Sequence, residues 1–426
     1  MKHTQIPLIV ILLSLLLTGC IGKPDPNVVT FAVFGEPAEF AAYQELVDAF
    51  EAEYPEITIE IHHIPGQSEY QRRLATEFAG GSPSNVILLN YRRFAIFAAE
   101  GGLEPLGSYL AASEVIQESD FYPITIQSFV YDDQLWCIPQ NLSSLVVYYN
   151  RDIFDAAGLP YPANDWTWAD FLSVARTLTQ DFDEDGTIDQ YGVGISPNLF
   201  RLAPFIWQNG GELVDDPDAP TRLDLDSPAA REAFQWFVDL QVVEKVVPDA
   251  TAEAAESSEG RFLNGRLGMY FNSRRGVPTY RTITTFVWDV APLPRGTQAA
   301  GILHSDAYCM TAATENKATA WKFIEFSNSF TGQKIVAQSG RTVPSLIAVA
   351  KSPAFLSPDL PPANSRVYLD TMAYIRGVPI MPTWVGIEEV TSREIERAFY
   401  GDASVEEAIA AAIAYTQEYF DSATNP

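Results

Sequence analysis

Between Trp136 and Trp168 the chain passes from one apolar block to another through a short polar joint. This passage limits the folds open to it more than any other stretch. Pro139 breaks the apolar run before it, and Gln140, Asn141, Ser143 and Ser144 follow. Residues 145–149 then form a near-continuous apolar strand, the pattern of a strand buried on both faces of a sheet. Asn150, Gly158 and two prolines turn the chain. Thr167 opens a helix with Asp170 three places on, a capping-box spacing. A chain that leaves one sheet at a proline and enters a second through small polar residues crosses between domains. At 426 residues it is too long for one ordinary core, which agrees with two. Clefts form at such crossings, and ligands bind in clefts.

Upstream, the pattern reads β-α-β-α-β. Val29, Phe31 and Val33 sit on a first strand that ends at Gly35-Glu36-Pro37. A helix follows with Phe40, Tyr43, Leu46, Val47 and Phe50 at helical spacing. Ile57, Ile59 and Ile61 mark a second strand, residues 70–78 a second helix and residues 86–89 a third strand. This order predicts a mainly parallel sheet with helices on its faces and a ligand crevice beyond the carboxyl ends of its strands. Glu36, Asn90 and Arg92 stand at those ends and are candidate ligand contacts. The alternative for each is a solvated loop residue.

The formal net charge is −28, which argues against nucleic acid as a partner because nothing offsets phosphates over an extended surface. At the N-terminus, Lys2 and His3 precede an apolar run from Ile6 to Leu17 that closes on Leu17-Thr18-Gly19-Cys20. The run is short for a membrane span. It resembles a bacterial lipoprotein signal, with Cys20 as the lipid-bearing first residue after cleavage. More than one acyl chain there gives stable attachment to a membrane. Cys137 and Cys309 remain, either as a disulfide or as two buried free thiols.

Residues 181–192 read DFDEDGTIDQYG. Asp181, Asp183, Asp185 and Asp189 occupy positions one, three, five and nine of a calcium loop. Gly186 is at six, and Thr187 offers a backbone carbonyl at seven. Gly192 stands at twelve, where a complete loop has a bidentate glutamate. The two readings are a structural Ca2+ completed by a remote carboxylate or water, and an acidic, solvated turn.

The crossing described first also carries a family resemblance. A proline, a polar run, an apolar strand ending in Tyr149-Asn150, an acid and Phe154, Ala157-Gly158-Leu159 and then Thr167-Trp168 opening a helix resembles the extracellular solute-binding proteins of ABC importers. The similarity is to the maltose-binding and multiple-sugar-binding branch. Gly101-Gly102-Leu103-Glu104-Pro105-Leu106, residues 205–213, residues 261–275, residues 288–294 and Gly340-Arg341-Thr342-Val343-Pro344 follow in the family's order.

The resemblance implies an α/β fold of two lobes that close like a flytrap about three crossings, near Gln140, Trp288 and Arg341. Its division is a signal peptide over residues 1–19 and a lipidated tether over 20–28. The first lobe is then 29–139 with 290–340, and the second 140–289 with 341–426. It also implies a monomer held outside the bacterial cell membrane by its lipid anchor. That monomer captures a saccharide and delivers it to ABC permease subunits driven by their ATPase.

The resemblance extends to the ligand site. It places a ligand-contacting side chain at Ser143 and a stacking aromatic at Trp384. Trp207 is a further aromatic candidate, because a flat apolar ring packs on the C–H face of a pyranose. Asn272, Arg275 and Asp306 stand at or beside strand ends of the matching segments. Sugar binders of the family have a tryptophan where this chain has Arg275. Arginine clamps carboxylate or phosphate bidentately, so an acidic sugar or sugar phosphate enters beside a neutral saccharide. The alternative for Arg274 and Arg275 is to offset local acidity. For catalysis there is no positive signal. The four histidines lie outside any HExxH context, and there is no GxSxG elbow or Walker motif. Two further readings stay open: a binder of a glycerol phosphodiester or peptide, and a surface lipoprotein degrading polysaccharide.

Overall fold

The computed structural model describes residues 25–424. The expected signal peptide and the lipid-bearing Cys20 lie outside the described residues.

In the first lobe, Val28–Phe34 pairs in parallel with both Thr58–Ile64 and Val86–Asn90. Helix Pro37–Glu53 buries Tyr43, Leu46, Val47 and Phe50 beneath this sheet, as its spacing predicts, while Phe40, expected with them, is half-buried and stacks on His63. The sheet is mixed rather than mainly parallel. Asp306–Thr311 lies antiparallel beside Val86–Asn90, and Leu103–Glu104 and Cys137–Pro139 pair with it antiparallel. The reason is the route of the chain. Asp306 faces Asn90 in register, so this strand enters the sheet from the end where the parallel strands leave it. Cys137 and Cys309 are register partners and form a disulfide with a Cα separation of 4.4 Å. Of the two readings left by the sequence, the bonded pair is the one found.

The second lobe is built on Val146–Asn150, flanked antiparallel by Leu267–Asn272 and Trp288–Ala291, with Tyr191–Gly194 parallel to Leu267–Asn272. Helix Trp168–Leu178 starts on the predicted capping box: Asp170 N–H donates to Thr167 Oγ1, and Thr167 N–H donates to Asp170 Oδ2 at 2.8 Å. The helix packs directly on the sheet at Gly192, where a Cβ would meet the Ala175 carbonyl at 2.0 Å.

Three segments lie side by side at the junction of the lobes. Asn141–Leu142 pairs antiparallel with Val343–Pro344, and Ser143 bridges His304. Two expected boundaries move. Trp288–Ala291 is a strand of the second sheet, so the expected start of first-lobe chain at residue 290 falls inside it. Arg295 and Gln298 then bond Trp166, Gln208 and Trp207 of the same lobe, and the crossing expected near Trp288 comes instead at His304. After Arg341 the chain stays on the first lobe. Tyr122 N–H donates to the Ser345 carbonyl, and Leu346 N–H to Gln333 Oε1. Asn364, bonded to Asp289 and Val290, marks the arrival at the second lobe. Among the described residues no helix is long and apolar enough to cross a membrane.

Candidate functional site

The strand ends of the first lobe, the hinge and the second lobe converge on one cleft of about 320 Å³. Asn90, Arg92, Ser143, Arg275 and Asp306, all expected at the site, line it. Four other expected residues do not. Glu36 is exposed before helix Pro37–Glu53, one turn away from the cleft. Asn272 is turned inward, with its amide on the Tyr280 hydroxyl at 2.6 Å. Trp207 is 2 % exposed, with Arg376 over its ring at 4.9 Å, and Trp384 is fully buried. Both tryptophans sit on the inward faces of helices, where large apolar rings gain most from burial.

On the first-lobe wall the polar groups hold one another. Asn90 Nδ2 donates to Asp306 Oδ1 at 3.1 Å, and Asn90 Oδ1 accepts from Arg92 Nε at 3.0 Å. Asn141 bonds both the backbone and the carboxylate of Asp306. Burial raises the Asp306 carboxyl, while Asn90 and Asn141 pull it back. Ser143 Oγ donates to the Ser144 carbonyl at 3.3 Å and accepts from Arg274 N–H at 3.4 Å.

Glu39 projects into the same cleft from the first turn of its helix, over Gly35. A Cβ on Gly35 would meet Glu39 Oε2 at 1.8 Å, and Gly35 has a φ of +141°. Only glycine admits the carboxylate there. Arg341, from the hinge, donates to Glu39 Oε1 at 2.5 Å. Burial nevertheless pushes the Glu39 carboxyl up to about 7, with Arg341 opposing.

The second lobe contributes mostly cations. Arg92 of the first lobe ion-pairs with Glu388 on helix Trp384–Phe399 and lies 4.1 Å over the ring of Phe200. His304 stacks on Phe200 at 4.6 Å. Phe200 is 5 % exposed, so this ring has little face to offer a sugar. Burial and the charges of Arg201, Arg92 and Arg275 hold the His304 imidazole well below its ordinary value, and it is neutral. Arg201 and Arg275 differ from the other two cleft arginines. Neither side chain has a hydrogen bond or ion pair among the described residues, and the Nε of Arg201 is buried without a partner.

Sequence reasoning missed Glu39, Arg201, His304, Arg341 and Glu388. For Arg201 a signal existed. Residues 199–207 read LFRLAPFIW, and a single charge inside an apolar helix needs a partner or a ligand.

The acidic loop is separate from the cleft. Asp181, Asp183 and Asp189 bring carboxylate oxygens within 4.8 Å of one another; Asp185 lies outside this trio. The backbone is already wound around them: Gly186 N–H donates to Asp181 and Phe182 N–H to Asp189. Asp185 accepts from Thr187 N–H at 2.7 Å.

A family model of bacterial extracellular solute-binding proteins matches residues 35–334. A putative binding protein of Brucella abortus is 24% identical over 386 residues, covering 85% of this chain and 87% of its own. An ABC substrate-binding protein of Listeria monocytogenes, solved in complex with cycloalternan, superposes with a TM-score of 0.84 at 24% identity, over 94% of this chain and 99% of its own. UgpB from Mycobacterium tuberculosis, solved in complex with glycerophosphocholine, superposes with a TM-score of 0.80 at 21% identity, over 92% and 98%.

Proposed function

The chain belongs to the bacterial extracellular solute-binding proteins, and on that premise we propose that it captures a small polyhydroxylated solute, a saccharide or saccharide derivative, and hands it to an ABC permease. The observation that carries this is the convergence of polar side chains from both lobes and the hinge on one cleft. A cleft of about 320 Å³ is at the small end of ligand sites, which favours a compact solute over a long oligosaccharide. Hydroxyl groups find acceptors in Asp306 and Glu388 and a donor in Asn90.

Capture works by differential binding. A ligand that touches both lobes gains its full contact energy only when they are closed, so it shifts the population toward closure. Arg92 and Glu388 meet across the lobes, so this contact belongs to the closed arrangement. The closed form is the one a permease pair with its ATPase reads. The protein is proposed to act as a monomer, held at the outer face of the cell membrane through a lipid on Cys20. The acidic loop is proposed to hold a structural Ca2+ through Asp181, Asp183 and Asp189. Capture without turnover is the proposed role, in keeping with a family described by solute binding.

Thermal unfolding in the presence of a panel of mono- and disaccharides and their derivatives tests the reading. A ligand that binds only the native state adds about 2.7 kcal/mol at a hundredfold excess over its dissociation constant. A raised midpoint with at least one hydroxylated solute is expected. A panel that leaves the midpoint unmoved, when peptides raise it, sinks the assignment.

A further inference from the structure

The cleft collects cations in a chain whose net charge is −28. Of its four arginines, two have a carboxyl partner in place: Arg92 on Glu388 and Arg341 on Glu39. Arg201 and Arg275 have no such partner among the described residues. For Arg275, which is exposed at the cleft mouth, solvation is compensation enough. For Arg201 it is not. Its Nε is buried and unbonded, and burial together with the neighbouring charges of Arg275 and Arg92 disfavours its charged form. A buried cation left unpaired costs several kcal/mol unless something supplies the counter-charge.

Among the described residues no carboxylate pairs with it. The carboxylates that line the cleft have other partners, Glu388 in Arg92, Glu39 in Arg341 and Asp306 in Asn90 and Asn141. Neutral sugars supply no charge, and the ring that would stack on one, Phe200, is covered by Arg92 and His304. The neutral His304 beside these arginines adds a group able to share a proton with an oxyanion.

We propose that the solute of this cleft is a phosphate ester of a sugar or polyol, its phosphate held by Arg201 and Arg275 of the second lobe and its hydroxyls by Asn90 and Asp306 of the first. This rests on the solute-binding reading and names the ligand class. Two free guanidiniums match the charge of about −1.5 to −2 on a phosphate monoester at neutral pH, and their N–H forks match its oxygens bidentately. A single carboxylate satisfies one fork and leaves the second unpaired. The two ends of the ligand then lie on different lobes, which is the arrangement that rewards closure.

The test is calorimetric titration of the purified protein with glucose 1-phosphate, sn-glycerol 3-phosphate, glucuronate and maltose. The same series follows with Arg275→Ala and Arg201→Gln, each first checked for a wild-type circular dichroism spectrum. The expected result is that a phosphate ester binds tightest. Affinity should fall roughly tenfold to a hundredfold in Arg275→Ala, as for loss of a charge-assisted hydrogen bond, and weaken with added salt. Because Arg275 is exposed, that variant keeps the test valid if Arg201→Gln fails to fold. Maltose binding tighter than either phosphate ester, unchanged in Arg275→Ala, overturns the phosphate assignment and leaves solute capture standing. Glucuronate preferred to both esters overturns it as well. Heat from none of the four overturns this proposal, and the unfolding panel then decides whether the broader reading falls with it.

Discussion

Arg341 Nε donates to Glu39 Oε1 at 2.5 Å across the floor of the cleft, while the other oxygen of Glu39 is buried with no hydrogen-bond partner among the described residues. The pair joins helix Pro37–Glu53 to the segment just before strand Val343–Pro344, more than three hundred residues later. Half of a carboxylate buried in this way makes the pair sensitive to pH.

Glutamate ordinarily releases its proton near 4.5, and burial moves Glu39 to about 7 against the pull of Arg341. Between these values the native state keeps a proton that the unfolded chain has lost, so stability falls as pH rises through the window. The shift corresponds to about 3 kcal/mol. Asp306, also raised by burial, has the same sign. His304 has the opposite one: kept neutral in the native state, it costs stability as pH falls below 6.5, where the unfolded imidazole takes up a proton. Glu39→Gln removes only the first contribution. Urea unfolding from pH 5 to pH 8 is expected to show the variant gaining on the parent as pH rises, and a pH-independent difference refutes the assignment.

Arg274 is fully buried, and among the described residues it has no carboxylate partner. Its guanidinium donates to the carbonyl of Gly340 at 2.7 Å and to Ser365 Oγ at 3.1 Å, and lies over Phe355 and Tyr368. This holds the backbone just before Arg341. Arg274→Ala leaves the Gly340 carbonyl unpaired above a cavity and is expected to cost about 3–5 kcal/mol. Lysine keeps the charge but loses the fork, and is expected to recover only part of this. Denaturant midpoints of the two variants decide, and a loss below about 1 kcal/mol for alanine counts against the clasp.

The Cys137–Cys309 disulfide closes a loop across 172 residues of sequence. Closing so long a loop restricts the unfolded chain, and removal of the bond is expected to cost about 2–5 kcal/mol. Paired Cys137→Ala and Cys309→Ala substitutions, compared with the oxidised parent by urea unfolding, measure this. Unchanged midpoints contradict it.

For the acidic loop, calcium is expected to raise the unfolding midpoint and a chelator to lower it. Asp189→Asn should abolish the response while leaving solute binding in place, because the loop lies outside the cleft. Calorimetry with calcium alone checks it, and absence of heat removes the ion from the account.

Much of this fold was legible because its signals are local. The capping box at Thr167–Asp170 depends on residues three apart and occurs as read, and Ser404–Glu407 closes in the same way. Asn90, Arg92 and Arg275 reach the cleft because strand ends do so in any sheet of this kind. Trp207 and Trp384 misled because proximity to a turn does not say which face of a helix a ring takes. Glu39 and Glu388 stayed hidden because charge on a helix reads as a solvated face until the neighbouring lobe is placed against it, whereas Arg201 stands alone among apolar residues and could have been found. The lobe boundaries slipped for a related reason: residues 292–300 and 343–356 are held where they are by hydrogen bonds to partners far away in sequence.

The disulfide also has a mechanical meaning. Cys137 stands just before one passage between the lobes and Cys309 just after another, and both belong to the first sheet. A covalent tie at that point welds the roots of two hinge strands into one rigid mounting. In the closure proposed above, bending falls beyond this tie, at Gln140 to Ser144 and Leu303 to Ser305, and along the third connection between Val343 and Asn364. For that closure the tie supplies a fixed axle rather than a soft joint, so that the groups on either rim meet in one register.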